Sequence, residues 1–231
     1  RLLDITTNPL VALYFASLDS RRNKSKVYGE VVLLYGNIPD TIKYERSDTV
    51  SILSSMPVFT ENEKLDFLRW AKEIAIEMER NKDSGNEIER LRKEFNESPD
   101  HDLPRLLGEI RIEKPAFLPI ISPHSLYENI IVTPGRRNSR IMNQAGGFVL
   151  QGLFNINNFP QEGTLDQMRF KNPQGRIPII IIPNKAKEHI RKQLETLNIN
   201  KASMFPEIDD VADYLKDDYD WSISSPVFGQ A

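Results

Sequence analysis

Arg1-Leu2-Leu3-Asp4-Ile5-Thr6-Thr7-Asn8-Pro9-Leu10-Val11-Ala12-Leu13-Tyr14-Phe15-Ala16 is the stretch on which the reading of the fold turns. A short apolar strand runs straight into a helix. Asn8 stands at the N-cap position and Pro9 at the first helical position, where its missing N–H costs nothing. From Leu10 to Ala16 every side chain is apolar apart from the Tyr14 hydroxyl, which predicts a buried helix enclosed by the domain. Polar residues gather at the junction instead, as Asp4, Thr6, Thr7 and Asn8. A polar knot between a buried strand and a buried helix is either a structural cap or the floor of a site. The chain begins inside this element without a Met, which reads as a fragment cut within a domain.

Composition narrows the class of protein. A length of 231 residues fits one large domain or two small ones. With 39% hydrophobic and 27% charged residues, the chain has the make-up of a soluble globular protein. A net charge of −3 gives no electrostatic footprint for duplex nucleic acid, although a local basic patch is compatible with it. The absence of cysteine excludes disulfides, thiolate catalysis and cysteine-based metal sites. The apolar runs fall far short of the roughly 20 residues that span a bilayer. These features predict a cytoplasmic protein without a membrane partner.

Further along, Ser20–Lys26 is a polar, basic turn, and Lys26–Gly36 thickens into a β-branched run that predicts a buried strand. Tyr44–Pro57 reads as a linker. Thr60 and Glu63 have capping-box spacing at the start of a long helix. Its stripe of Phe67, Trp70, Ile74 and Met78 predicts a core face rather than a cofactor box. Asn81–Asp102 is nearly all polar, with Ile88, Leu91 and Phe95 as its large apolar residues, and predicts a solvated helix with a loop on each side. The prolines of Pro104–Pro123 argue against a continuous helix there. Ile110–Glu113 and Ile130–Val132 read as edge strands, and Arg136–Gln144 as a helix ended by Gly146-Gly147 as a left-handed cap. Phe148–Phe154 and Ile177–Ile182 read as strands, the latter starting at or edged by Pro178. Asn184–Leu197 and Glu207–Leu215 are amphipathic helices. Strands and helices mix without regular alternation, which predicts an α+β fold: a mixed or antiparallel sheet flanked by helices. Residues 1–217 form one domain in this reading, with a charged helical insertion near 61–102 and a tail at 218–231.

Standard catalytic constellations find little support. His101, His124 and His189 are scattered without metal-ligand spacing, so no metal is expected. Gly146-Gly147 follows a helix, whereas a phosphate cradle must precede one, and no Gly-x-Ser-x-Gly elbow is present. Two constellations remain. One is Asp4, Thr6, Thr7 and Asn8 with Tyr14 beyond them. The other is Arg140 and Gln144, one helical turn apart on one face. A structural account has Asp4 holding Arg1 or Arg140 in a buried pair and Gln144 capping a neighbour.

Residues 1–16 resemble the FRG domain, a bacterial family with a Thr-Arg-Leu-Leu-Asp-x-Thr-x-Asn-Pro-x-x-Ala-Leu-Tyr-Phe-Ala run, with Ile5 where the family usually carries Trp. Arg140-Ile-Met-Asn-Gln144-Ala-Gly146-Gly-Phe148 is similar to the family's Arg-Ile-x-x-Gln-x-Gly-x-Phe. Ile182-Pro183, Lys187, Leu194, Asn198-Ile199-Asn200 and Met204-Phe205-Pro206-Glu207-Ile208-Asp209 look like its ending. The Phe/Tyr-Arg-Gly that names the family is absent. Strand, Thr cluster and helix also resemble the second motif of ADP-ribosyltransferases.

That resemblance implies an NAD or nucleotide site. It implies catalytic roles for Thr6, Tyr14 and Gln144, and cofactor contacts from Arg1, Thr7, Asn8, Arg140 and Phe148. Tyr14 or Phe148 would stack on nicotinamide, and Asp4 would orient Arg140 or the absent arginine. Breaking the nicotinamide bond develops positive charge that a site must stabilise. Gln144 is neutral and cannot do so as a carboxylate would, which leaves Glu162 or Asp166 as alternatives. The implied partner is a nucleotide or a macromolecule modified in phage defence or toxicity. The rival reading is a non-catalytic module that recognises a nucleotide, a nucleic-acid end or a protein, with the Asn81–Asp102 helix as a docking surface. A third reading makes the motifs core scaffolding.

Overall fold

The computed structural model describes residues 2–18, 27–37, 40–98, 101–155, 157 and 165–218. Arg1, the Ser20–Lys26 turn, Glu162 and the tail from residue 219 lie outside these residues. The fold is α+β: a mixed four-stranded sheet flanked by helices, with a separate two-stranded ribbon. Its contacts cluster into two units, one made of residues 1–5, 33–135 and 147–178, the other of 6–32, 136–146 and 179–231.

The first unit carries the sheet. Strands β1 (Leu2–Thr6), β3 (Ile42–Tyr44), β4 (Ile130–Thr133) and β5 (Gly146–Leu150) lie in the order β1-β5-β4-β3. β4 runs parallel to β3, with Ile42 opposite Ile131, and antiparallel to β5, with Ile130 opposite Leu150. Ile130–Val132 is therefore an interior strand rather than an edge, in keeping with its buried Ile130 and Val132. β1 departs from its expected burial: Leu2 and Leu3 are exposed. The Tyr44–Pro57 linker is instead helix α2 (Asp48–Ser55) followed by a 3-10 turn, Met56–Val58, and Ile52 and Leu53 enter the core.

Helix α3 (Glu61–Arg80) starts with the expected capping box. The Thr60 N–H donates to Glu63 Oε2 at 2.6 Å, and the Glu63 N–H reaches Thr60 Oγ1 at 3.4 Å. Phe67 and Ile74 are buried, with Trp70 and Met78 packed against them. α4 (Gly85–Glu97) is the helix expected from the charged stretch, and its Leu91 and Phe95 are fully buried anchors. α5 (Leu103–Glu113) replaces the strand expected at Ile110–Glu113. Pro104 lies in its first turn, where no N–H is required, and Pro115 follows its end. Leu103, Leu106 and Ile110 therefore complete one core with α3 and α4.

In the second unit α1 (Pro9–Ser17) packs on α7 (Asn184–Glu195). Val11 and Tyr14 meet Leu194, Ile199 and Met204 in a small core. α1 is not enclosed on every side, because Leu10 and Phe15 are exposed. β2 (Gly29–Val31) pairs antiparallel with β6 (Ile180–Ile182). The β-branched runs around them are longer than the strands they form, and Val32, Leu33, Ile179 and Ile181 are exposed. Gly29 is where β2 crosses α1: a Cβ there would lie 1.9 Å from the Ala16 carbonyl oxygen. α6 (Ser139–Asn143) is shorter than Arg136–Gln144, and α8 (Lys201–Met204) and α9 (Ile208–Asp218) follow α7. The left-handed residue after α6 is Ala145, with φ 46°, while Gly146 and Gly147 already belong to β5.

Candidate functional site

Three stretches far apart in sequence meet in the second unit: Thr6–Asn8, Arg140–Ala145 and Ser203–Glu207. Asn8 caps α1, its Oδ1 accepting from the Leu10 N–H at 2.9 Å. Thr6 Oγ1 accepts from the Asn8 N–H at 3.0 Å and donates to the Gln144 carbonyl at 2.7 Å. The Thr7 N–H and Thr7 Oγ1 both donate to the Ala145 carbonyl, at 3.0 and 3.3 Å. The junction is thus sewn to the turn that follows α6. Two threonines suit that task, since each hydroxyl both donates and accepts.

The turn is tied on its other side to α8. Gln144 Nε2 donates to the Met204 carbonyl and Asn143 Nδ2 to the Ser203 carbonyl, each at 2.8 Å. Arg140 projects from α6. Its guanidinium lies 4.8 Å from the centre of the Phe205 ring and 3.7 Å from a Glu207 carboxylate oxygen. About half of each charged side chain stays exposed. The carboxylate facing Arg140 is Glu207, and Asp4 is exposed on β1.

Tyr14 occupies a different place. It is buried in the α1–α7 core and lines a cavity of about 240 Å³ with Arg191, Glu195, Asn200 and Tyr214. Burial pushes its phenol above the usual tyrosine range; Arg191 opposes this and Glu195 adds to it. The Tyr214 hydroxyl donates to Glu195 at 2.5 Å, and Lys192 pairs with Glu188 at 2.9 Å.

Phe148 belongs to the first unit, packed half-buried against Leu53, Ile130, Val132 and Leu150. Asp166 pairs with Arg169 at 3.4 Å in that same unit. Thr6, Thr7, Asn8 and Gln144 are therefore brought together, with Arg140 on the next turn of α6. Their functional groups differ in availability: the Thr6 hydroxyl and the Gln144 amide serve backbone carbonyls in partly buried bonds, while Arg140 and Thr7 are exposed, the Thr7 hydroxyl making a longer 3.3 Å bond to the Ala145 carbonyl. A phosphate fits that donor set, because a guanidinium fixed over an aromatic ring is an oriented, weakly hydrated cation.

Two features leave no mark in the sequence. Glu207 was read as part of the start of an amphipathic helix, and its pairing with Arg140 depends on residues far apart in the chain. The other is a cleft of about 610 Å³ in the first unit, lined in part by Tyr35, Asp40, Lys72, Tyr127, Glu128 and Gln167. It is assembled from loops and helix sides that share no local motif. Among the described residues no group of three or more His, Cys, Asp or Glu is gathered as metal ligands, and no helix is long and apolar enough to cross a membrane. Comparison with protein-family models, curated proteins and solved structures finds no match to this chain.

Proposed function

We propose that this chain is an FRG-type domain that binds an anionic nucleotide, with NAD the first candidate, where Arg140 lies over Phe205. The observation that supports the reading is the convergence of the three resemblance-bearing stretches on one turn. In this reading Arg140 and Thr7 contact phosphate, and Thr6, Asn8 and Gln144 are positioning residues that fix the turn. NAD, when bound, supplies a glycosidic bond whose cleavage develops positive charge on the ribose. Glu207 is the carboxylate beside Arg140, and it takes the charge-stabilising role that neutral Gln144 cannot fill. Displacing Glu207 from Arg140 by a phosphate would free both groups for those tasks. The macromolecule modified, and a role in defence or toxicity, belong to the same proposal.

A second reading is favoured by the engagement of the Thr6 hydroxyl and Gln144 amide with backbone carbonyls. It makes the site a recognition module that holds a nucleotide without turning it over. Both readings are tested by incubating the protein with radiolabelled NAD and a mixture of cellular RNA, DNA and protein. Label transfer or nicotinamide release, lost in Arg140→Ala and Glu207→Gln, supports a transferase. A rise in melting temperature with NAD that Arg140→Ala removes, without release, supports the recognition module. The absence of both responses would overturn the nucleotide reading.

A further inference from the structure

We propose that the cleft of the first unit binds an uncharged nucleobase or nucleoside, with Tyr35 as a stacking platform and Gln167 reading the edge of the heterocycle. Its volume of about 610 Å³ lies in the range of small-molecule sites, roughly 300–1,000 Å³. Three aromatic rings contribute to the lining, from Tyr35, Tyr127 and Phe154. Flat apolar faces beside side-chain amides suit a flat ligand with hydrogen-bonding edges. Tyr35 is 63% exposed, so its ring is accessible, and Gln167 is exposed as well.

The walls are held in place by backbone bonds. The Tyr35 N–H donates to the Met168 carbonyl at 2.7 Å, and the Phe170 N–H to the Leu33 carbonyl at 2.9 Å. Elsewhere in the lining, the Gly152 N–H donates to Asn129 Oδ1 at 3.0 Å, and the Leu153 N–H to the Leu126 carbonyl at 2.8 Å. Gly152 lies so close to the 127–128 peptide that a Cβ would come within 2.3 Å of the Tyr127 carbonyl carbon. The rim residues Asn37, Asp40 and Thr41 are cross-braced, with Asn37 Nδ2 donating to Asp40 at 2.9 Å and Thr41 Oγ1 to Asn37 Oδ1 at 3.1 Å. A pocket braced in this way needs little ordering when a ligand enters.

Charge decides against a phosphorylated ligand. The lining carries one ammonium, Lys72, against two carboxylates, Asp40 and Glu128. Burial, reinforced by Glu128, raises the Tyr127 phenol above its usual range, so it stays a protonated donor. This cleft therefore differs in chemistry from the Arg140 site, and the proposal does not depend on that reading.

The test is calorimetric titration of the protein with adenosine, guanosine, cytidine and uridine, and then with their 5′-monophosphates. At least one nucleoside is expected to bind saturably, with its monophosphate roughly fivefold weaker through repulsion by the acidic lining. Tyr35→Ala should weaken binding by about tenfold through loss of stacking, and Gln167→Ala should change the preference among bases. Both side chains are exposed, so melting curves should match the parent protein. Arg140→Ala should leave nucleoside binding unchanged, which separates this proposal from the NAD reading. No saturable binding of any nucleoside, tighter binding of the monophosphates, or binding unchanged in both cleft variants would overturn it.

Discussion

Gln144 commits its side-chain N–H to the Met204 carbonyl and its own carbonyl to the Thr6 hydroxyl, so it joins two segments that lie far from it in sequence. A residue used in this way acts on stability before it acts on chemistry. Gln144→Ala should therefore lower unfolding free energy by about 1–2 kcal/mol, the cost of a lost bond plus a partly buried carbonyl left unpaired. Denaturant titration measures it, and a change below about 0.3 kcal/mol would mean that water replaces the amide freely. The sequence showed that Thr6, Thr7 and Gln144 were special, but not that their partners would be main-chain carbonyls. Every residue has one, so such a partner leaves no mark on composition or spacing. The Arg140–Glu207 pair was hidden for a related reason, since each residue also reads as an ordinary charge on a helix.

At the scale of elements, local rules were read well where one side chain answers another within a turn. Thr60 and Glu63 stand three positions apart, and the cap is present as expected. The Thr60 hydroxyl, foremost, and then its backbone N–H hold the Glu63 carboxyl below its ordinary value of 4.5. A depressed folded-state value means that the unfolded chain takes up the proton first. The stabilisation is thus present above about 4.5 and lost as pH falls through the folded value. Melting temperature followed from about pH 6 to about pH 3 should drop less steeply in Glu63→Gln than in the parent.

The misreadings share a cause. Ile110–Glu113 reads as an edge strand from its apolar residues, yet a first-turn Pro104 starts helix α5, which runs through it. The charged stretch forms the expected helix α4 on its two apolar anchors, but Leu91 and Phe95, four residues apart on one face, are fully buried in the core, which a solvated helix does not convey. Phe95→Ala should cost about 3–5 kcal/mol by leaving a cavity between α3 and α4. A loss under about 1 kcal/mol, seen in urea unfolding, would return that helix to the status of a solvated appendage.

At the scale of the whole molecule, the α+β class was legible because helical and alternating periodicities were interspersed without a βαβ rhythm. What the periodicities did not carry was the interleaving of two units, each assembled from three separated pieces of chain. The first-unit cleft draws its lining from two of those pieces, 33–135 and 147–178, and could not be found by scanning for a motif.

The pairing of α1 with α7 also has a consequence in time. Arg191 of α7 donates to the Ser17 carbonyl at the end of α1, across 174 residues of sequence. At a synthesis rate of about 5–20 residues per second, α1 leaves the ribosome roughly 9–35 s before its partner exists. Throughout that interval Val11, Tyr14 and Phe15 are sticky surface that a chaperone can hold. Nascent chains arrested before residue 184 should be cleaved within α1 by a protease that spares it in the finished protein. An early helix resistant to cleavage would mean that it finds a temporary shelter first. Helix α1 is therefore made well before the helix that secures it.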